Sequence, residues 1–142
     1  MRIVVLGAAA GGGLPQWNCG CRNCEDARAE KIPSMTQSSV AVSMNGQYWA
    51  VLNASPDIRV QLSAVPAMHP QNLRGSPVAA VVLTNGDIDH IAGLLTLREK
   101  TAFDLYATRS GMDIIKSNSV FRVLDPDSVS YTHLTLPTTP YV

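Results

Sequence analysis

The sequence predicts an α/β chain, α+β in some schemes, because a strand hairpin is followed by alternating helical and strand patterns. Three stretches carry that reading: a hairpin over Ser38–Leu52, the continuous apolar run Val78–Leu83, and helix patterns after each of them. With 142 residues, 46% of them hydrophobic, the chain has apolar side chains enough for one core.

Taken in order, Arg2–Leu6 is short, apolar and β-branched, and predicts a buried strand. A glycine-rich segment, Gly7 to Gly13, then ends it, and Pro15 forbids a simple helix start. Ser38–Met44 alternates, which places Val40, Val42 and Met44 together on a half-buried face. Asn45-Gly46 is a strong two-residue hairpin signal, and Tyr48–Leu52 supplies the return strand.

Ser55-Pro56-Asp57 predicts a helix entry with a capping hydroxyl, a proline at the first helical position and an acid in the first turn. Ile58, Leu62 and Val65 share the following helical face until Pro66. His69 to Ser76 is polar loop. Val78–Leu83 predicts a strand covered on both faces. Thr84 through His90 leaves it and runs into an apolar-periodic helix with Ile91, Leu94 and Leu95. Leu105–Thr108 predicts one more strand and Gly111–Lys116 the start of a helix. The segment from Ser130 to Val142 is rich in threonine and proline without a helical period, and it resembles a translated sequencing-adapter segment. Residues 1–127 are therefore expected to form the domain, with 128–142 a non-native or disordered tail.

Eleven basic residues balance eleven acidic ones. That balance lacks the basic field a phosphate backbone demands and argues against nucleic acid as a partner. No stretch approaches the ~20 apolar residues needed to span a bilayer. The apolar run after Met1-Arg2 is too short for a signal peptide, so a cytoplasmic location is expected.

Three cysteines, Cys19, Cys21 and Cys24, fall within one short segment. An odd number so tightly spaced makes a poor disulfide framework. Three soft thiolates can instead converge on one Zn²⁺ at ~2.3 Å, with Gly20 allowing the tight turn between the first two. Free cysteines without a shared ligand are the plain alternative. The fourth ligand is not evident; His69 and His133 are the spare histidines.

Asp89 and His90 stand side by side after the Val78–Leu83 strand, where α/β proteins place their chemistry. A carboxylate and an imidazole are both metal ligands, although an acid at a helix cap followed by a surface histidine would look the same. The glycines fit neither Gly-x-Gly-x-x-Gly, since Ala9 occupies the second position, nor a P-loop, since Gly13 stands in the lysine position. They are expected to let the backbone pass close to a metal or ligand site. Asn53–Asp57 reads as a helix cap that could line the same cleft.

Several blocks together resemble the family of coenzyme PQQ synthesis protein B. They are Val4–Gly7, Gly11-Gly12-Gly13-x-Pro15-Gln16-Trp17-Asn18-Cys19-x-Cys21-x-x-Cys24, Thr36–Ser39, Asn53–Arg59, and Asp89-His90-x-x-Gly93 through Glu99. The resemblance runs from Met1 to about Leu124. It implies a metallo-β-lactamase-like αβ/βα sandwich, of which this chain supplies the first half only. It also implies a thiolate zinc site at Cys19, Cys21 and Cys24, completed by a histidine from the other half.

The wider superfamily marks its catalytic metals with His-x-His-x-Asp-His; here the four positions hold Asn85, Asp87, Asp89 and His90. Two imidazoles are replaced, which argues against a dinuclear zinc hydrolase. A mononuclear centre on Asp89, His90 and later residues is the expectation, and a carboxylate–histidine set with open positions suits Fe(II) oxygen chemistry.

The function the resemblance implies is pyrroloquinoline quinone (PQQ) biosynthesis, through metal-dependent oxygenation of the tyrosine-derived ring of the PQQ precursor. A carrier taking PQQ or its precursor toward the periplasm is the alternative from another class, and a zinc phosphodiesterase-like hydrolase is a third. The expected partners are a small molecule of the PQQ pathway and, for assembly, a second copy in a homodimer.

Overall fold

The structure is a computed structural model and describes residues 1–134. Six strands form one sheet in sequence order: β1 (Arg2–Gly7), β2 (Ser39–Ser43), β3 (Trp49–Leu52), β4 (Val78–Val82), β5 (Phe103–Ala107) and β6 (Val129–His133). β1, β2 and β3 pair antiparallel, and β3 through β6 pair parallel. β1 consequently runs in the same sense as β3 to β6, so the carboxyl ends of five strands share one edge of the sheet. The helices are α1 (Arg22–Arg28), α2 (Ile58–Ser63), α3 (Ile88–Ile91) and α4 (Arg109–Ser117), with 3-10 turns at Pro66–Met68, Ala92–Leu95 and Ser119–Val123.

The register aligns Val4, Ala41, Val51, Val81, Leu105 and Tyr131 in a row across the sheet. Ala41, Val51, Val81 and Leu105 are completely buried, and Ile58, Leu94, Met112, Ile115 and Phe121 from the helices and turns join them in the core. The neighbouring row, Val5, Val40, Leu52, Val82, Tyr106 and Thr132, lies on the opposite face. Its members are only half-buried or exposed. One face of the sheet is therefore covered and the other is open.

That asymmetry corrects three expectations. β1 is an edge strand whose Ile3 and Val5 are 59% and 65% exposed, not a buried strand. An apolar run specifies a strand but not its place in the sheet. In β2 the buried side chains are Ser39, Ala41 and Ser43, while Val40 and Val42 are half-buried and Met44 is exposed. The small residues face the helix layer, and Ser39 Oγ donates to the Leu52 and Asn53 carbonyls at 3.1 and 2.9 Å. β4 is covered on one face only, with Val78 and Val81 buried and Ala80 and Val82 half-buried.

The hairpin forms with a longer loop than two residues. Asn45 Oδ1 accepts from the N–H groups of Gln47 and Tyr48, and Gly46 takes φ +78°. An Asx turn has replaced the tight turn. α2 begins at Ile58 rather than at Pro56, and Val65 lies beyond its end. The helix expected after His90 is a single α turn continued as a 3-10 turn. Gly93 there is pressed so close that a Cβ on it would stand 2.1 Å from the Ser55 carbonyl oxygen.

α4 starts two residues before the expected Gly111, capped by Thr108 Oγ1 accepting from the Gly111 N–H at 3.2 Å. In the tail expected from residue 128 onward, Val129–His133 is ordered as a strand, not disordered, and pairs along the whole length of β5. Its alternation of Val129, Tyr131 and His133 satisfies an edge strand despite the threonine-rich composition. The rest of the expected tail, residues 135–142, lies outside the described residues. Among the described residues, no helix is long and apolar enough to cross a membrane.

Candidate metal centres at the strand ends

The cysteine segment is a turn leading into α1. Cys19 N–H donates to the Gln16 carbonyl at 3.2 Å, Cys21 is the N-cap residue of α1, and Cys24 sits buried in its first turn. The three cysteines are free, and their sulfurs lie within 4.8 Å of one another. Two sulfurs each ~2.3 Å from one zinc ion are at most ~4.6 Å apart, so the spacing fits a shared ion with little adjustment.

Backbone N–H groups support the thiolate form. The Cys24 N–H holds the Cys21 thiol below its usual range, aided by hydrogen bonds with the Cys19 and Cys24 side chains. The Gln16 N–H acts on Cys24 in the same sense, but burial and the neighbouring sulfurs prevail and raise that thiol. A soft divalent cation would relieve the crowding of sulfurs, and the donor set fits zinc. The structure brings neither His69 nor His133 into this group. His69 Nε2 is instead 2.9 Å from the Ser63 carbonyl, and His133 is in β6.

Asp87, Asp89 and His90 form a second group, each offering one ligand atom within 4.8 Å of the others. They lie just past the carboxyl end of β4, where Asp87 is the N-cap residue of α3 and Asp89 and His90 occupy its single turn. Asn85 Oδ1 accepts from the Asp87 N–H at 3.0 Å and from His90 Nδ1 at 2.6 Å. An amide oxygen cannot donate, so His90 donates from Nδ1, and Nε2 is the ring nitrogen left for another partner. Asn85 thus acts as an orienting partner to His90.

Two neighbouring loops hold that group in place. From the loop after β3, Ala54 N–H donates to the His90 carbonyl and Gly93 N–H donates back to Ala54, both at 2.8 Å. Asn53, at φ +63°, turns its Oδ1 to accept from Thr84 N–H and Oγ1 at 3.0 and 2.9 Å. The glycine-rich loop after β1 closes on the other side. A Cβ on Gly11 would stand 3.0 Å from Asp89 Oδ2, so the glycines do bring backbone against this group. Gln37 Nε2 fixes the loop through the Gly11 carbonyl at 2.7 Å, and Gln37 N–H reaches Asp57 Oδ2 at 3.0 Å.

Sequence reasoning missed the supporting residues Gln37 and Arg28, and it marked Asn85 only as standing at a histidine position of the superfamily motif, not as a partner that orients His90. Arg28 alone left a local signal, its spacing of four from Cys24, but that signal has meaning only once α1 is known. Trp17, in the cysteine segment, is 86% exposed and takes no part in either group.

A sheet whose strand ends gather side chains that could ligate a metal defines the class, and the chain belongs to the beta-lactamase superfamily, whose domain model matches residues 48–139. Within that superfamily it is similar to coenzyme PQQ synthesis protein B. It is 62% identical to that protein from Ruegeria pomeroyi and 61% identical to that from Rhizobium meliloti, each time over 92% of this chain and 44% of the relative. A crystal structure of Zn²⁺-bound PqqB from Methylobacterium extorquens superposes with a TM-score of 0.92 at 53% identity, covering 96% of this chain and 50% of that one. A diphosphatase of the PhnP family shares the fold, at TM-score 0.72 and 23% identity over 94% of this chain and 50% of that one. The chain spans about half the length of the curated relatives it matches.

Proposed function

We propose that this chain serves PQQ biosynthesis as part of a metal-dependent oxygenase acting on the tyrosine-derived ring of the PQQ precursor. The observation that carries the reading is the Asp87, Asp89 and His90 group at the carboxyl end of β4, in a chain so similar to coenzyme PQQ synthesis protein B. Residues 1–127 act in this reading as one half of a metallo-β-lactamase-like domain, with the open apolar face of the sheet as the place where a second layer packs.

Cys19, Cys21 and Cys24 would hold a structural zinc ion, which would tie the turn at Gln16 to α1. Asp89 and His90 would hold the second metal, and Asp87 is near enough to share it. Iron(II) in such a site would supply the means of activating oxygen that no side chain possesses. The chain's own contribution is orientation. Asn85 fixes the His90 ring, the Ala54 and Gly93 backbone fixes its carbonyl, and Gly11 keeps the approach to Asp89 narrow.

The test uses full-length protein loaded with Fe(II), the precursor and oxygen. Oxygen-dependent product that disappears in His90→Ala supports the proposal. Precursor bound tightly without turnover, with iron in place, would replace it by the carrier reading.

A further inference from the structure

We propose that Arg28 is the positioning residue of the cysteine cluster, a fork that holds the Gln16–Cys19 turn so that the sulfur of Cys19 is presented beside those carried by α1. The inference rests on the zinc reading of Cys19, Cys21 and Cys24. Cys24 and Arg28 are four residues apart on α1 and share one face of it. From that face Arg28 Nη1 donates to the Cys19 carbonyl and Nη2 to the Gln16 carbonyl, each at 2.7 Å.

Those carbonyls belong to the first and last residues of the turn closed by the Cys19 N–H. One planar guanidinium thus spans the whole turn, and the helix that carries Cys24 also grips the turn that carries Cys19. Arg28 has no carboxylate partner among the described residues. An exposed arginine with two short bonds to carbonyls, and no ion pair, is placed for geometry rather than for surface charge balance. Its fixed positive charge also offsets the net negative charge that three thiolates leave around a divalent ion.

The test compares the full chain with its Arg28→Ala and Arg28→Lys variants, using zinc competition against a chromophoric chelator and the sulfur-to-cobalt absorption bands of Co²⁺-loaded protein. Arg28→Ala is expected to weaken zinc binding by roughly 10- to 100-fold, the scale of a lost outer-shell contact, and to shift the cobalt bands. Added guanidinium ion should restore part of both. Arg28→Lys keeps the charge but cannot bridge two carbonyls, so it should remain impaired, and it covers the case in which Arg28→Ala fails to fold. Either folded variant matching the parent in affinity and spectrum overturns the inference while leaving the zinc reading intact. A parent chain without sulfur-to-cobalt bands overturns the zinc reading, and the inference with it.

Discussion

The cysteine cluster draws all its sulfurs from Cys19 to Cys24, whereas the carboxylate–imidazole group at Asp87–His90 depends on loops after β1, β3 and β4. The first is a local device whose geometry comes from one turn, one helix start and one arginine. The second exists only when the strands are in register, because Ala54 and Gly11 reach it from separate places in the chain. The two should therefore fail differently. Damage to the sheet should dismantle the second centre before the first, and damage to α1 the reverse.

The largest expected effect is on the local side. Cys24→Ser removes a buried sulfur and should weaken zinc binding by well over the roughly 10- to 100-fold of a lost supporting contact, while second-site metal is retained. Metal analysis of the folded variant checks both halves of that statement. His90→Ala should do the converse, emptying the second centre and leaving the sulfur-to-cobalt bands unchanged. If either variant loses both metals, the independence of the centres is wrong.

Next is Gly93→Ala. The added methyl would meet the Ser55 and Ala54 carbonyl oxygens at 2.1 and 2.7 Å. Overpacking against backbone of this kind costs about 1–3 kcal/mol, measurable by denaturant unfolding. The same change should loosen the second centre, because Gly93 N–H holds Ala54 and Ala54 N–H holds His90.

Gly11→Ala is milder. Its methyl needs Asp89 to yield by a few tenths of an ångström, so second-site affinity should fall by roughly tenfold, at the lower end of supporting-contact effects, with little change in stability.

The smallest effect is the pH dependence of the sulfur centre. Burial and the neighbouring sulfurs raise the Cys24 thiol, so protons compete with zinc there more than at an ordinary cysteine. Zinc affinity should accordingly rise as pH increases and the thiol ionises. A flat titration between neutral and mildly alkaline pH would contradict that.

The same contrast explains what could be read from the sequence. Cys19, Cys21 and Cys24 were legible because ligand spacing within one segment is itself the signal. Asp89 and His90 were legible by position, since they follow an apolar strand in a chain of alternating elements. That the glycine loop passes close to a metal or ligand site was legible, but that Gly11 meets Asp89 and Gln37 holds Gly11 was not, because both follow from β1 lying beside β2 with one particular register. The faces of β1, β2 and β4 were misjudged for a related reason. Val40 and Val42 are more apolar than Ser39, Ala41 and Ser43, but the helix layer needs small side chains close to the sheet and takes the latter. An apolar residue on the open face has the pattern of a core residue whose cover is not adjacent in the sequence.

X-ray absorption at the zinc and iron edges, on full-length protein loaded with both metals, addresses the central claim most directly. Zinc is expected in a sulfur-rich shell that collapses when Cys24 is replaced, and iron in a shell of oxygen and nitrogen that collapses when His90 is replaced. Zinc found with oxygen and nitrogen neighbours, indifferent to Cys24, would contradict it.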